Sequence, residues 1–173
     1  FFFKQKTAYE IKECDWSSDV CSSDLQPNYE QSIKRMQDGE IGQILAARVY
    51  WNGGPVGPKM RRADLEKRLG RPPTEMEYQL RNWYNFVWTC GDHIVEQHIH
   101  NLDVINWIKN AYPVSCHGLG GRAYLNQPDH GEIFDHHAVE YEYADGTLMF
   151  SQCRQIPGCN NDVAEAVTGD RKS

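Results

Sequence analysis

Apolar and polar residues repeat along the chain with two different periods, and each period predicts a different element. Over residues 92–109 the apolar positions recur every three or four residues, which predicts one amphipathic helix. Over residues 138–143 they alternate with glutamates, and Asp145 and Gly146 follow at once, which predicts a hairpin that returns over residues 147–153. The predicted apolar stripe of the helix consists of Ile94, Val95, Ile99, Leu102 and Ile105.

Shorter patterns predict the remaining elements. A short helix is expected between a capping Asn28 and a terminating Gly39. The other predicted elements are a strand over 41–51, an excursion rich in Gly, Pro and charge over 53–77 with a helix at 63–69, and a strand over 114–124.

Composition excludes several classes of protein. The 173 residues are 40% hydrophobic and 24% charged, which is ordinary for a folded domain and excludes collagen-like, mucin-like and fully disordered chains. No apolar run reaches the roughly 18 to 20 residues that a membrane-spanning helix needs. The net charge of −6 indicates neither nucleic acid nor anionic lipid as a partner, so a small molecule or another protein is expected.

Motif searches direct attention to carboxylates and histidines. The chain contains no GxGxxG, GxxxxGK[ST], GxSxG or HExxH motif, and its four cysteines after residue 25 form no CxxC pair. Glu96 and His100 are four residues apart on one face of the predicted helix, where the carboxylate would orient an imidazole suited to proton exchange with a substrate hydroxyl. Asp103 lies on the same face, and His98 falls inside the apolar stripe. The alternative interpretation is a solvated helix face.

Three other groups of residues leave alternatives open. The histidines at 93, 98, 100, 117, 136 and 137 would be metal ligands in a hydrolase, but His98 and His100 point to opposite sides of the helix, so no metal site is expected. Of His136 and His137, one is expected to be buried and the other exposed. Arg154 would anchor a substrate oxygen or form a surface ion pair, and Trp83 would stack on a sugar ring or pack in a core.

The segment from Gly91 to Trp107, GDHIVEQHIHNLDVINW, resembles the substrate-side helix of the glucose-fructose oxidoreductase/inositol dehydrogenase (Gfo/Idh/MocA) family. Glu96 stands where the family usually has Asp, His100 matches the family His, Asp103 matches a later Asp, and His98 occupies a position that is often Gly. The segments NWYNFVW, GGR, HHAVEYEYADGT and FSQCRQIPGC are similar to one bacterial branch, so the resemblance covers residues 26–173.

The resemblance implies a fold and a domain organisation. The expected fold is α+β, an open and mostly antiparallel sheet with helices on one face, which supports homo-oligomers in the family. Residues 26–40 resemble the last helix of an otherwise missing Rossmann domain, and residues 41–173 resemble a substrate domain that is incomplete at its C-terminus. The nucleotide-binding glycines and the catalytic lysine of the family's Glu-Lys-Pro motif are absent. Residues 1–25 resemble translated sequencing-adapter sequence of metagenomic origin, and this leader is expected to pack against nothing consistently.

The resemblance also implies a function. The chain is expected to be the substrate-binding half of an NAD(P)-dependent sugar or polyol oxidoreductase, inactive by itself, with NAD or NADP held only by the intact parent. His100 and Glu96 are the catalytic candidates, and the substrate-binding candidates are Asp103, Arg154 and Trp83. The alternatives are a non-catalytic oligomerisation or binding module, and a lyase or glycosidase of the same family that recycles NAD. The cytoplasm is the default compartment, with export left open.

Overall fold

The computed structural model describes residues 27–58 and 60–171, and its framework is an open sheet of five strands. The strands are β1 (Ile44–Gly53), β2 (Ser115–Gly121), β3 (His136–Glu142), β4 (Leu148–Gln155) and β5 (Asp162–Gly169). Their order across the sheet is β2-β3-β4-β1-β5. Only the β1–β4 pair is parallel among these pairings, so the expected mostly antiparallel sheet is confirmed.

Helices cover one face of the sheet. They are α1 (Pro27–Gln37), α2 (Arg62–Leu69), α3 (Glu75–Arg81), α4 (Val87–Cys90), α5 (His93–Glu96) and α6 (Ile99–Lys109), with 3₁₀ turns at Trp83–Asn85 and Pro128–His130. The main core lies between α1, α6 and the sheet, where Ile33, Val49, Ile105 and Met149 are buried together. None of the helices in the described ranges has the length and apolar character needed to cross a membrane.

The predicted hairpin is confirmed, and its alternation sets the two faces of the sheet. β3 and β4 pair antiparallel, and Gly146 between them has φ of +83°, a conformation that glycine adopts without steric cost. Along β4 the side chains of Met149, Ser151 and Cys153 are buried under the helices, whereas Phe150 lies on the open face.

The prediction of one continuous helix over residues 92–109 is wrong at its centre. The His98 N–H donates to the His93 carbonyl five residues back (3.2 Å), which is the wide turn of a π-bulge and separates α5 from α6. This extra residue changes the helical phase, so Val95 is exposed and Asn101 is buried, against the predicted stripe. His98 is nevertheless fully buried, as its place in the stripe predicts.

Other differences are local. Asn28 is already the second residue of α1, so its predicted role as the helix cap is wrong. The excursion contains α3 in addition to the predicted helix, and a capping box between Thr74 and Glu77 begins it. The hydrophobic and polar pattern of the sequence does not indicate the strand β5. The leader expected over residues 1–25 lies outside the described residues.

Candidate functional site

The candidate site lies where the α5–α6 junction passes the C-terminal end of β1. Here the rings of His100 and Trp51 are 5.8 Å apart between centroids and inclined by 53°. Both side chains are half-buried, and both lie on the helix-covered side of the sheet. The junction therefore places an imidazole beside an aromatic ring at one end of the sheet.

His100 presents one nitrogen without a partner. Its ring hydrogen bonds to the Glu96 backbone, while Nε2 is buried and has no hydrogen-bond partner among the described residues. With its proton on Nδ1, the ring has a lone pair on Nε2. Burial lowers the pKa of His100, although the hydrogen bond to Glu96 acts in the opposite direction. A neutral imidazole with a free acceptor nitrogen is the form that takes a proton from a hydroxyl.

Glu96 acts on His100 differently from the expectation. Since the π-bulge lies between them, the contact uses the backbone of Glu96, and no hydrogen bond joins the two side chains in the described structure. Burial raises the pKa of the Glu96 carboxyl. No described side chain donates a hydrogen bond to this half-buried carboxylate, which leaves it available to a ligand.

A buried polar network contacts the backbone near the C-terminal end of β1. His93 Nε2 lies 3.4 Å from the Trp51 carbonyl oxygen, and His93 Nδ1 accepts from Gln155 Nε2 at 2.7 Å. The Tyr84 hydroxyl lies 3.1 Å from the same Nδ1 and accepts a hydrogen bond from Gln155. Burial lowers the pKa of His93 to about 4, so this ring is neutral near pH 7.

Asp92 connects α5 to β3. Its carboxylate accepts from the backbone N–H groups of His93 (2.6 Å) and Phe134 (3.0 Å), and it lies 3.3 Å from His137 Nε2. Burial by itself would raise the pKa of Asp92, but the hydrogen bonds from His137 and the two N–H groups lower it overall. Asp92 also has φ of +77°, which is uncommon for a residue other than glycine and is typical of strained functional regions.

His98 anchors the junction to the sheet. Its Nε2 lies 2.8 Å from the Ser151 hydroxyl in β4, and both side chains are buried. Burial lowers the pKa of His98 to about 4. The ring is therefore a neutral packing group directly beneath the candidate site.

Of the three predicted substrate-binding residues, Asp103 lies one turn after His100 on α6, whereas Trp83 and Arg154 lie on other elements. Asp103 is exposed on α6, and Trp83 packs edge-on against Tyr84 at 5.7 Å in a second core cluster. Arg154 lies on the open face of the sheet, and its guanidinium donates to the carbonyls of Ile156 and Asn160 in the turn that follows β4.

The described ranges contain neither a cluster of metal ligands nor an unoccupied N-terminus at α2. No three His, Cys, Asp or Glu side chains there are grouped to hold a metal ion. His136 instead lies 2.6 Å from the buried Asp135, and it is more exposed than its neighbour His137. The Gly-rich loop after β1 leads to α2, but the Asp129 carboxylate already accepts from the first N–H of that helix, Arg62 (3.2 Å). The Asp129 carboxylate thus takes the position at this helix N-terminus that an anion would otherwise occupy.

Comparisons with known proteins show the fold. Neither a protein-family model nor a curated protein sequence matches the chain. Among solved structures, myo-inositol 2-dehydrogenase from Lactobacillus plantarum is similar with a TM-score of 0.58 and 21% identity, over 87% of this chain and 38% of that one. GenD2 from gentamicin A biosynthesis, solved in complex with NAD, is similar with a TM-score of 0.60 and 12% identity, over 95% of this chain and 42% of that one.

A third similar structure is the super-repressor mutant of Gal80p from Saccharomyces cerevisiae, with a TM-score of 0.62 and 12% identity over 84% of this chain and 37% of that one. The chain thus spans about two fifths of each of these proteins. The fold is that of the C-terminal domain of Gfo/Idh/MocA oxidoreductases, as expected. Because dehydrogenases and a repressor share it, the fold alone does not decide the function.

Proposed function

We propose that this chain is the substrate-binding part of an NAD(P)-dependent oxidoreductase that acts on a sugar or polyol. The observation that carries the proposal is the unpartnered Nε2 of His100 beside Trp51. The similarity to a myo-inositol dehydrogenase and to an NAD-bound protein supports the substrate and cofactor classes. In this proposal the nicotinamide cofactor, which accepts a hydride from the substrate carbon, is bound outside the described residues.

His100 is the proposed group for the substrate hydroxyl proton. A hydroxyl that donates to Nε2 satisfies the buried acceptor, and the Glu96 carbonyl on Nδ1 stabilises the imidazolium that forms when the proton is transferred. Glu96 is thus a positioning residue through its backbone. Its carboxylate is proposed to accept a hydrogen bond from a second substrate hydroxyl, because it has no donor of its own.

The structure supports the predictions for the other candidate residues and for the helix α1 to different degrees. Asp103 is exposed near the junction and remains a substrate-binding candidate, whereas the positions of Trp83 and Arg154 favour packing and turn-bracing roles. Ile33 of α1 is buried in the main core, so the helix that we propose to end a cofactor domain also packs against this domain.

The open face of the sheet is the proposed surface for a homo-oligomer. Leu119 of β2 and Phe150 of β4 lie there with exposed side chains. A sheet that is covered by helices on one face only leaves such apolar area for a second copy of the chain.

A non-catalytic binding module is the second candidate function. The similarity to Gal80p favours it, since that structure is described as a repressor mutant. In this reading the half-buried surface around His100 binds a ligand without reaction. The two candidate functions use the same ligand site. They differ in whether proton transfer to His100 is part of a reaction.

Binding of myo-inositol by the purified chain tests the proposed site. We expect myo-inositol to shift the NMR resonance of the His100 Cε1–H and His100→Gln to weaken binding by about tenfold or more, the cost of one lost hydrogen bond to a buried acceptor. His117→Gln is the matched control, because the His117 side chain is 79% exposed on the open face. If myo-inositol and glucose both leave the His100 resonance unchanged in folded protein, the proposal is wrong.

A further inference from the structure

Trp51 has three properties that its role in a packed strand does not explain. Its ring lies beside His100, it is half-buried, and no described residue accepts a hydrogen bond from its indole N–H. An indole has a large polarisable face and one polar donor at its edge. Such a ring is suited to contact a ligand that is apolar on its faces and polar around its rim.

The surface around the ring continues on β5. Trp51 pairs directly with Val163, whose side chain is 56% exposed and lies on the same side of the sheet. Trp51 also pairs with the buried Cys153 on its other side, which fixes the strand between two neighbours. An exposed apolar strip therefore begins next to the unpartnered nitrogen of His100.

Buried hydrogen bonds hold the backbone at this point. The Trp51 carbonyl faces His93 Nε2, and Gln155 and Tyr84 hold the opposite nitrogen of that ring. All three of these side chains are buried. Because the network fixes the peptide that carries the ring, little ordering of this peptide is left to occur when a ligand binds.

We propose that Trp51 is a specificity-determining residue whose ring stacks on one face of a cyclic sugar or cyclitol while His100 Nε2 accepts a ring hydroxyl. This inference rests on the proposed function and extends it to the shape of the substrate. A six-membered polyol ring presents its C–H groups on its faces and its hydroxyls around its rim, which matches an aromatic face next to a single acceptor. An open-chain polyol has no such face and must also lose internal rotations on binding.

The test compares cyclic myo-inositol with open-chain sorbitol on the purified 173-residue chain. We expect saturation transfer from the protein to the C–H protons of myo-inositol, and we expect the Kd for myo-inositol to be about three- to tenfold lower than that for sorbitol. Trp51→Leu should abolish this preference, whereas Trp51→Phe, which keeps a ring, should retain part of it. Trp88→Leu is the control, because Trp88 is 57% exposed on α4 and its indole N–H already donates to Gln79.

The outcomes show separately whether the stacking role of Trp51 and the proposed function hold. If His100→Gln weakens binding but Trp51→Leu leaves the ratio of the two Kd values unchanged, the stacking role is overturned and the proposed function stands. If Trp51→Leu lowers only the unfolding free energy, measured by urea denaturation, then Trp51 is a packing residue and the inference is also overturned. If neither polyol binds the folded chain, both proposals are overturned.

Discussion

Acidification should destabilise this chain well above the pH at which carboxylates normally titrate, because His93 and His98 are buried as neutral rings. The pKa of each is lowered to about 4 in the folded chain, against about 6.5 in an unfolded one. Below pH 6.5 the unfolded state therefore binds more protons than the folded state. These two rings therefore make the unfolding free energy fall as the pH decreases from about 6.5 to about 4.

The size of this loss follows from the two pKa values. For one histidine shifted from 6.5 to about 4, the unfolding free energy at about pH 5 is about 2 kcal/mol lower than at about pH 7.5. The two buried rings together lose about 4 kcal/mol, a large part of the 5–15 kcal/mol typical of a domain. Glu77 and Asp145, whose pKa values are lowered to about 2, contribute losses only below about pH 4.5, outside this interval.

Urea denaturation at several pH values, followed by circular dichroism, measures the effect. His98→Gln keeps an amide that can bond to the Ser151 hydroxyl but removes the titrating group, so the loss between about pH 7.5 and 5 should shrink by about 2 kcal/mol. His117→Gln, at an exposed position, should leave the loss unchanged. A His98→Gln variant that loses as much stability as the parent, with an unchanged m-value, would refute the reasoning.

Three further predictions follow from the site and the backbone. His98→Ala should lower the unfolding free energy of the chain by about 1 to 3 kcal/mol. In an enzyme that joins this chain to a family-type cofactor domain, His100→Ala should lower kcat by about 10²-fold with little change in NAD affinity. The reverse pattern would contradict the site assignment. Isothermal titration of the purified chain should detect no NAD or NADP binding. Low-micromolar binding would show that the chain contains a dinucleotide-binding site. In urea denaturation, Gly131→Ala should be more destabilising than Gly39→Ala by about 2 kcal/mol or more. A Cβ at residue 131 would lie 2.0 Å from the Asn85 carbonyl oxygen, whereas a Cβ at residue 39 would meet open space. Equal losses would argue against the tight contact.

Local periodicity is sufficient to predict the elements whose own residues repeat with a clear hydrophobic period. The alternation in β3 and β4 predicted both strands and the turn at Gly146, since side chains in a strand point to opposite faces in turn. The 3.6-residue period predicted that His98 is buried even though the helix is interrupted at that point. The capping box of Thr74 and Glu77 is a local signal for α3 that is also visible in the sequence.

The candidate site itself depended on contacts between distant parts of the chain. Trp51 and His100 are separated by 49 positions, and Gln155 reaches His93 across 62, so no local pattern indicates that these side chains meet. The π-bulge at His98 replaced the expected carboxylate contact of Glu96 with a backbone contact. An i to i+4 spacing predicts a contact only if the helix between the two residues is regular.

The sequence by itself determined the β3–β4 hairpin, the strand β1 and the helical character of the segments that form α1, α2 and α6, because these properties depend on neighbouring residues. Tertiary structure decided the parallel pairing of β1 with β4, the addition of β5 at the edge, and the face on which each strand end presents its side chains. Arg154 was expected near the substrate, but the register of β4 places it on the face opposite His100. Register and strand order are set by long-range packing, in which the entropy of closing long loops is balanced against buried apolar area, and neither quantity can be read from a short segment.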